Sequence, residues 1–190
     1  MAHDNPIFLT GWFLRYCVLG ALDTLYYHEW RARLPARAAF AHTELQLHAA
    51  RDFLYAIMFS TLQWLAWQGW WTMVLAALLM AEIVITLADF IVEDHVRQPL
   101  GGVYPGERAM HAVMGLVYGA TLAQVVPILW AWWSAPTRLV VAPPAVPEAW
   151  RWVLAAMAVG VFLSGLRDLC AAGAVPHSAW PWRSTEPQVL

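Results

Sequence analysis

Lysine is absent from this chain: all 11 basic residues are arginine. With a net charge of −2, nothing in it suggests a nucleic-acid partner. Cysteine is scarce. Its two copies, Cys17 and Cys170, both fall in apolar stretches and read as buried hydrophobes, not as a disulfide or a metal pair. Charge of either sign is rare, at 13% of residues. A soluble domain would carry roughly 25%, so an ordinary water-soluble domain is excluded. A basic n-region is missing as well. Asp4 stands where one would be expected, and the first apolar stretch is expected to remain as a membrane span. No internal repeat and no low-complexity tract is seen.

What is present is apolar: 61% of residues are hydrophobic and the mean hydropathy is +0.51. A chain of 190 residues holds about five spans of ~20 residues with short loops. The breaks support that number. Spans are expected at 7–30, 41–67, 70–96, 105–133 and 148–172. They are separated by Pro35, by Gln68–Gly69, by Pro99, Gly101 and Gly102, and by the four prolines of 134–147. Pro6 suits a first helical turn. The tail, 173–190, reads as irregular and interfacial. The expected fold class is all-α: a polytopic membrane protein, an antiparallel four-helix transmembrane bundle plus a fifth span, in one domain over 1–190.

Acids and histidines mark one end of each of the first four spans. The first closes on Asp23 and His28, the second opens on Glu44 and His48, the third closes on Asp89 and Glu93, and the fourth opens on Glu107 and His111. If the spans alternate in direction, all eight meet at one membrane face. Reflecting residue numbers across each turn puts Asp89 and Glu93 within about one residue rise, ~1.5 Å, of His48 and Glu44. Glu44/His48, Asp89/Glu93 and Glu107/His111 are i, i+4 pairs, which share a helix face. Asp23 and His28 are i, i+5, a poorer match, and Tyr27 pairs better with Asp23.

Orientation follows from two further residue types. Tryptophan favours the lipid–water interface, and Trp12, Trp64, Trp67, Trp70, Trp71, Trp130, Trp132, Trp133, Trp150 and Trp152 map to the opposite end. Arg31, Arg33, Arg37, Arg97, Arg108 and Arg183 lie at the acid/histidine end, against Arg138 and Arg151 at the far end. By the positive-inside rule the cluster is cytoplasmic in a bacterial-type inner membrane, with the N-terminus outside and the C-terminus on the cytoplasmic side.

Ionisable side chains inside apolar spans are costly and mark function by default. Carboxylates that neutralise and bridge, with imidazoles as neutral ligands, are what a pair of metal ions requires. Asp23, Glu44, His48, Asp89, Glu93, Glu107 and His111 are the candidate ligands, with His28 as a less well-placed eighth. Arg51, Asp52 and Tyr27 are candidates to hold ligands in place. Tyr55 and Tyr118 lie near enough in depth to act as hydrogen-bond or radical partners. Arg15 and Glu82 reflect to one mid-span level and are expected to form an ion pair. Taken singly, several of these have plain explanations. Acids in a first helical turn suit the macrodipole. His42, His95 and Asp94 suit the interface, Arg97 suits a lipid headgroup, and Arg167–Asp168 suits a local ion pair.

The alternation of carboxylate-only and Glu/His helices resembles the membrane-associated di-iron oxidoreductases, alternative oxidase and the ubiquinone-pathway hydroxylase. It is a likeness of ligand types over the first four spans, with one residue more between Glu and His than in the Glu-x-x-His of such bundles. The resemblance implies two iron ions, an electron donor, and redox chemistry on an apolar substrate such as a quinone, a fatty acyl chain or an isoprenoid. Zinc or manganese suits the same ligands. A b-type haem held by His48 and His111, a zinc-dependent lipid hydrolase, and a non-enzymatic subunit or proton pathway are the other readings left open.

Overall fold

The computed structural model describes residues 15–141 and 147–182. The start of the first span with Trp12, the prolines Pro143 and Pro144, and Arg183 lie outside them. The described chain is helical. Helix α1 covers 15–32, of which Asp23–Ala32 is a π-helix. A 3-10 turn, Leu34–Arg37, leads into α2, Ala38–Thr61. Then follow α3, Trp70–Val96, a 3-10 turn at Gln98–Leu100, α4, Pro105–Trp133, and α5, Glu148–Ala172.

Helices α3, α4 and α5 are long and apolar enough to cross a membrane, with mean hydropathies of 2.3, 1.8 and 1.7. Only 6% of the α4 window is buried within the protein. Such a helix turns its apolar surface outward, which requires lipid as the solvent. Their bounds are those expected from the sequence. The second span differs at both ends. Its helix begins at Ala38, through a kink at Ala41. It stops at Thr61, and Leu65–Gln68 form a strand, β1. The Pro-rich connection supplies the partner, β2, Arg138–Val141, paired antiparallel with Leu65 opposite Val141. Short apolar runs are ambiguous between helix and strand, and the partner here lies some seventy residues away in sequence.

This ribbon closes the tryptophan end. Gly69 donates its N–H to the Trp132 carbonyl at 2.9 Å, and Thr137 Oγ1 accepts from the first N–H of α3 at 3.1 Å. Gly69 has φ +61 and ψ −129, and a Cβ there would collide with the Thr137 backbone. Only glycine suits that conformation without strain. Gly69→Ala is expected to cost about 1–3 kcal/mol, read as a lower midpoint of thermal unfolding in detergent. An unchanged midpoint would show that the ribbon gives way.

Contacts between helix ends fix the relative directions. Arg97 at the end of α3 meets Glu44 at the start of α2 and Glu107 at the start of α4. At the other end Arg151 of α5 lies over the Trp64 ring at 3.7 Å. Neighbouring helices therefore run antiparallel. The end of α1, the start of α2, the end of α3, the start of α4 and the end of α5 gather at one end. Helix α5 packs along α2. Gly165 permits this: a Cβ there would stand 2.9 Å from Asp52 Cβ and 3.2 Å from the Ala49 carbonyl. Small residues at such contacts let helices approach closely in lipid. One apolar core joins Tyr16, Cys17, Tyr55, Met58, Phe59, Leu154 and Ala158. A second, Ala32, Leu34, Ala41, Leu45 and Ala171, lies beside the acid/histidine end. Both cysteines are free.

Candidate metal centre

All eight acid and histidine side chains singled out by position are brought together, and all are buried, at 8% exposure or less. Three of the four pairs use the α-helical step of four. The fourth uses the π-helix. In that conformation hydrogen bonds run from i to i+5, so the i+5 residue takes the place above. The Arg33 N–H accordingly donates to the His28 carbonyl. Asp23 and His28 thereby share a face, and Tyr27 is turned away against Gly106 and Tyr104. The spacing that disfavours His28 on an α-helix is the one that places it here.

The ligand atoms fall into three groups, two of which share His111: Asp23, His28 and His111; Glu93, Glu107 and His111; and Glu44, His48 and Asp89. His28 Nε2 is 3.4 Å from Asp23 Oδ2 and 3.2 Å from Glu107 Oε1. His111 Nε2 is 3.2 Å from Asp23 Oδ2, and its Nδ1 is 3.4 Å from Glu93 Oε1. His48 Nε2 is 3.2 Å from Asp89 Oδ2 and 3.9 Å from Glu44 Oε1. The His28 and His48 rings stack with centroids 4.5 Å apart, which ties the groups into one site.

The polar atoms of this site are only partly satisfied by one another. Asp23 Oδ1, His28 Nε2, Glu44 Oε2, His48 Nε2, Asp89 Oδ1, Glu93 Oε2 and Glu107 Oε2 are all buried without a hydrogen-bond partner. Leaving one such group unpaired costs about 1–3 kcal/mol, more when it is charged. Seven in one place is a large debit for a folded state to carry. Atoms bound to an ion at about 2.0–2.2 Å stand roughly 3–3.5 Å from each other. The nitrogen-to-oxygen separations of 3.2–3.4 Å are of that size. At His28 and His48 they lack hydrogen-bond geometry, as ligands converging on a common centre would.

The surroundings alter several sequence readings. Arg97 is not a headgroup anchor. It is 1% exposed, donates from Nε to Glu44 at 2.8 Å and from Nη1 to Glu107 at 2.7 Å, and also pairs with Glu44 through Nη2. Burial opposes its charge; hydrogen bonding and the charges of Glu44, Glu107 and Glu93 outweigh this and raise its pKa. Its position is legible in hindsight, since Asp89, Glu93 and Arg97 follow one another at steps of four. Arg167 and Asp168 do not pair with each other locally. Arg167 binds Glu29 at 2.5 Å, and Asp168 approaches His48 Nδ1 at 3.9 Å. Asp168 continues a buried stripe on α5 through Leu154, Ala158 and Gly165. The fifth helix thus reaches the site. Arg51 donates to Asp89 Oδ2 at 3.2 Å, as a residue that orients a ligand would. His42, His95 and Asp94 are exposed, and Asp94 pairs with Arg108 at 3.1 Å.

Glu82 is held by hydroxyls, in place of the Arg15 expected for it. Tyr55 donates at 2.5 Å and Thr86 at 3.0 Å, and the Tyr16 hydroxyl, 3.3 Å from the same oxygen, bonds Tyr55. Adjacent residues on a helix point about 100° apart. With Tyr16 turned to the core, Arg15 is exposed. Tyr118 packs on Tyr16 at 5.2 Å and donates to the Leu79 carbonyl.

A cavity of about 290 Å³ lies between these hydroxyls and the acid/histidine site. Asp23 belongs to both its wall and the ligand set. Comparisons with known proteins give no lead: no family model, no curated protein and no solved structure matches the chain.

Proposed function

We propose that this chain is a membrane-embedded oxidoreductase whose centre is a pair of metal ions, iron by its resemblance to the di-iron oxidoreductases, acting on a lipid-soluble substrate such as a quinone, a fatty acyl chain or an isoprenoid. In this reading five spans cross the membrane. Four carry the ligands, and α5 flanks α2 and reaches His48 through Asp168. The bias of arginine puts the N-terminus outside and the centre on the cytoplasmic side, where an electron donor would dock.

The observation that carries the reading is the set of seven buried, unpartnered ligand atoms. Charge supports it. Among the described residues, the arginines paired with the five carboxylates Asp23, Glu44, Asp89, Glu93 and Glu107 are Arg97 and Arg51. Three surplus negative charges in a buried site need compensation. Divalent cations supply compensation of that sign and order. Three imidazolium rings would also balance the sum, but each would need its N–H aimed at an acceptor, and Nε2 of His28 and of His48 donates to none. Mixed nitrogen and oxygen ligands without thiolate suit iron, manganese or zinc. The bound ions would supply the redox or Lewis-acid chemistry. The chain's own part is to fix the imidazoles, keep the carboxylates ionised beside Arg97 and Arg51, and exclude water.

A haem between His48 and His111 fits less well. His28 stacks on His48 at 4.5 Å and stands 6.3 Å from His111, in the space a porphyrin would need. Elemental analysis with an optical spectrum on detergent-purified protein tests the proposal. About two iron ions per chain are expected, undiminished in His95→Ala, whose imidazole is exposed, and sharply reduced in His111→Ala. A Soret band, or equal metal in all three proteins, overturns it.

A further inference from the structure

We infer that the cavity beside the centre is a binding site for an uncharged, oxygen-bearing ring on an apolar tail, of the quinone or alkylphenol class, and that it discriminates against fatty acids. The inference rests on the proposed function and narrows its substrate.

Size and lining favour a ring. A volume of about 290 Å³ lies at the small end of ligand sites, roughly 300–1,000 Å³. It holds one substituted ring and the first part of a tail. Tyr16, Tyr55 and Phe59 form a continuous aromatic wall, with Tyr16 edge-on to Tyr55 at 5.8 Å and Tyr55 stacked on Phe59 at 5.4 Å. The thioethers of Met114 and Met157 complete the lining. Flat aromatic and sulfur surfaces suit a planar guest.

Charge decides against an acid. The end of the cavity nearest the centre carries two carboxyl groups, Asp23 and Asp52, and one guanidinium, Arg51, already engaged by Asp89. A carboxylate headgroup would meet the negative charge of Asp23, and the charge of Arg51 is already shared with Asp89. A neutral carbonyl or hydroxyl oxygen meets no such repulsion, and Arg51 retains N–H groups to donate to it. Because Asp23 is shared with the ligand set, a ring held there has its oxygen edge beside the metal centre.

Access is from lipid. Leu25 on α1 and Gly160 on α5, both on the cavity wall, are exposed at the protein surface. Apart from its own helix, nothing lies within 4 Å of where a Cβ at Gly160 would stand, so a larger side chain at this rim position meets no obstacle at its first atom.

Saturable binding of radiolabelled decylubiquinone to the full chain in nanodiscs, with empty nanodiscs subtracted, is the test. Wild type is expected to bind about one equivalent. Gly160→Phe should weaken binding at least tenfold while metal content stays unchanged. Gly119→Phe, equally exposed but on α4 away from the cavity, should match wild type. Stearate at equal concentration should not displace the ring. Unaltered affinity in Gly160→Phe, displacement by stearate, or no saturable binding to metal-loaded wild type each overturns the inference and leaves the metal centre standing. Absence of metal from wild type would instead remove the proposed function itself.

Discussion

Arg97→Met should destabilise the folded chain by about 3–5 kcal/mol, the cost of breaking a buried ion pair and leaving its partners uncompensated. The guanidinium bridges Glu44 and Glu107, and all three side chains are buried. Methionine fills similar volume, so the loss reports on charge and not on a void. It would leave two carboxylates facing each other across the junction of α2, α3 and α4. Arg97→Lys should fall between the two, because a lysine presents one compact charge where arginine presents a planar fork. The measurement is the midpoint of unfolding on titration with a denaturing detergent, followed by tryptophan fluorescence. A midpoint within error of wild type for Arg97→Met would mean that the bridge does not join the helices. Added metal should return part of the lost stability, since ions bind the folded state and counter the same carboxylates.

Replacing His28 by alanine should lower metal occupancy from about two ions per chain to about one or fewer, with affinity reduced more than 100-fold, beyond the 10–100-fold typical of residues that only orient a ligand. His28 Nε2 lies within 3.4 Å of carboxylate oxygens on two helices, Asp23 and Glu107. Tyr27→Phe removes the neighbouring polar group and should leave occupancy at the wild-type level. Elemental analysis of the two variants side by side separates the π-helical from the α-helical reading of this segment. Metal loss in Tyr27→Phe with retention in His28→Ala would reverse the assignment.

Most of the gross architecture was legible in composition and periodicity. The bounds of α3, α4 and α5 follow from apolar runs ended by proline and glycine. The convergence of Glu44/His48, Asp89/Glu93 and Glu107/His111 follows from helical spacing and antiparallel hairpins alone. What could not be read has a common cause: it depends on partners distant in sequence or on a backbone other than the α-helix. The ribbon of Leu65–Gln68 needs Arg138–Val141. The inward turn of Arg97 needs Glu44 and Glu107. His28 needs a helix whose step is five. Depth alone matches Arg15 to Glu82, and depth says nothing of azimuth; Tyr16 occupies the facing position.

The widened helix has a further consequence for how the chain is routed. Deleting any one residue between Asp23 and His28 would leave acid and imidazole four apart, the step already used in α2 and α4, and an ordinary helix would keep them in line. The extra residue is thus unnecessary for the pairing itself. What it changes is heading: everything after it is rotated by about 100° relative to an uninterrupted helix, including the Leu34–Arg37 turn that launches α2. The insertion acts as a swivel, aiming the rest of the polypeptide toward the site that its own two side chains begin.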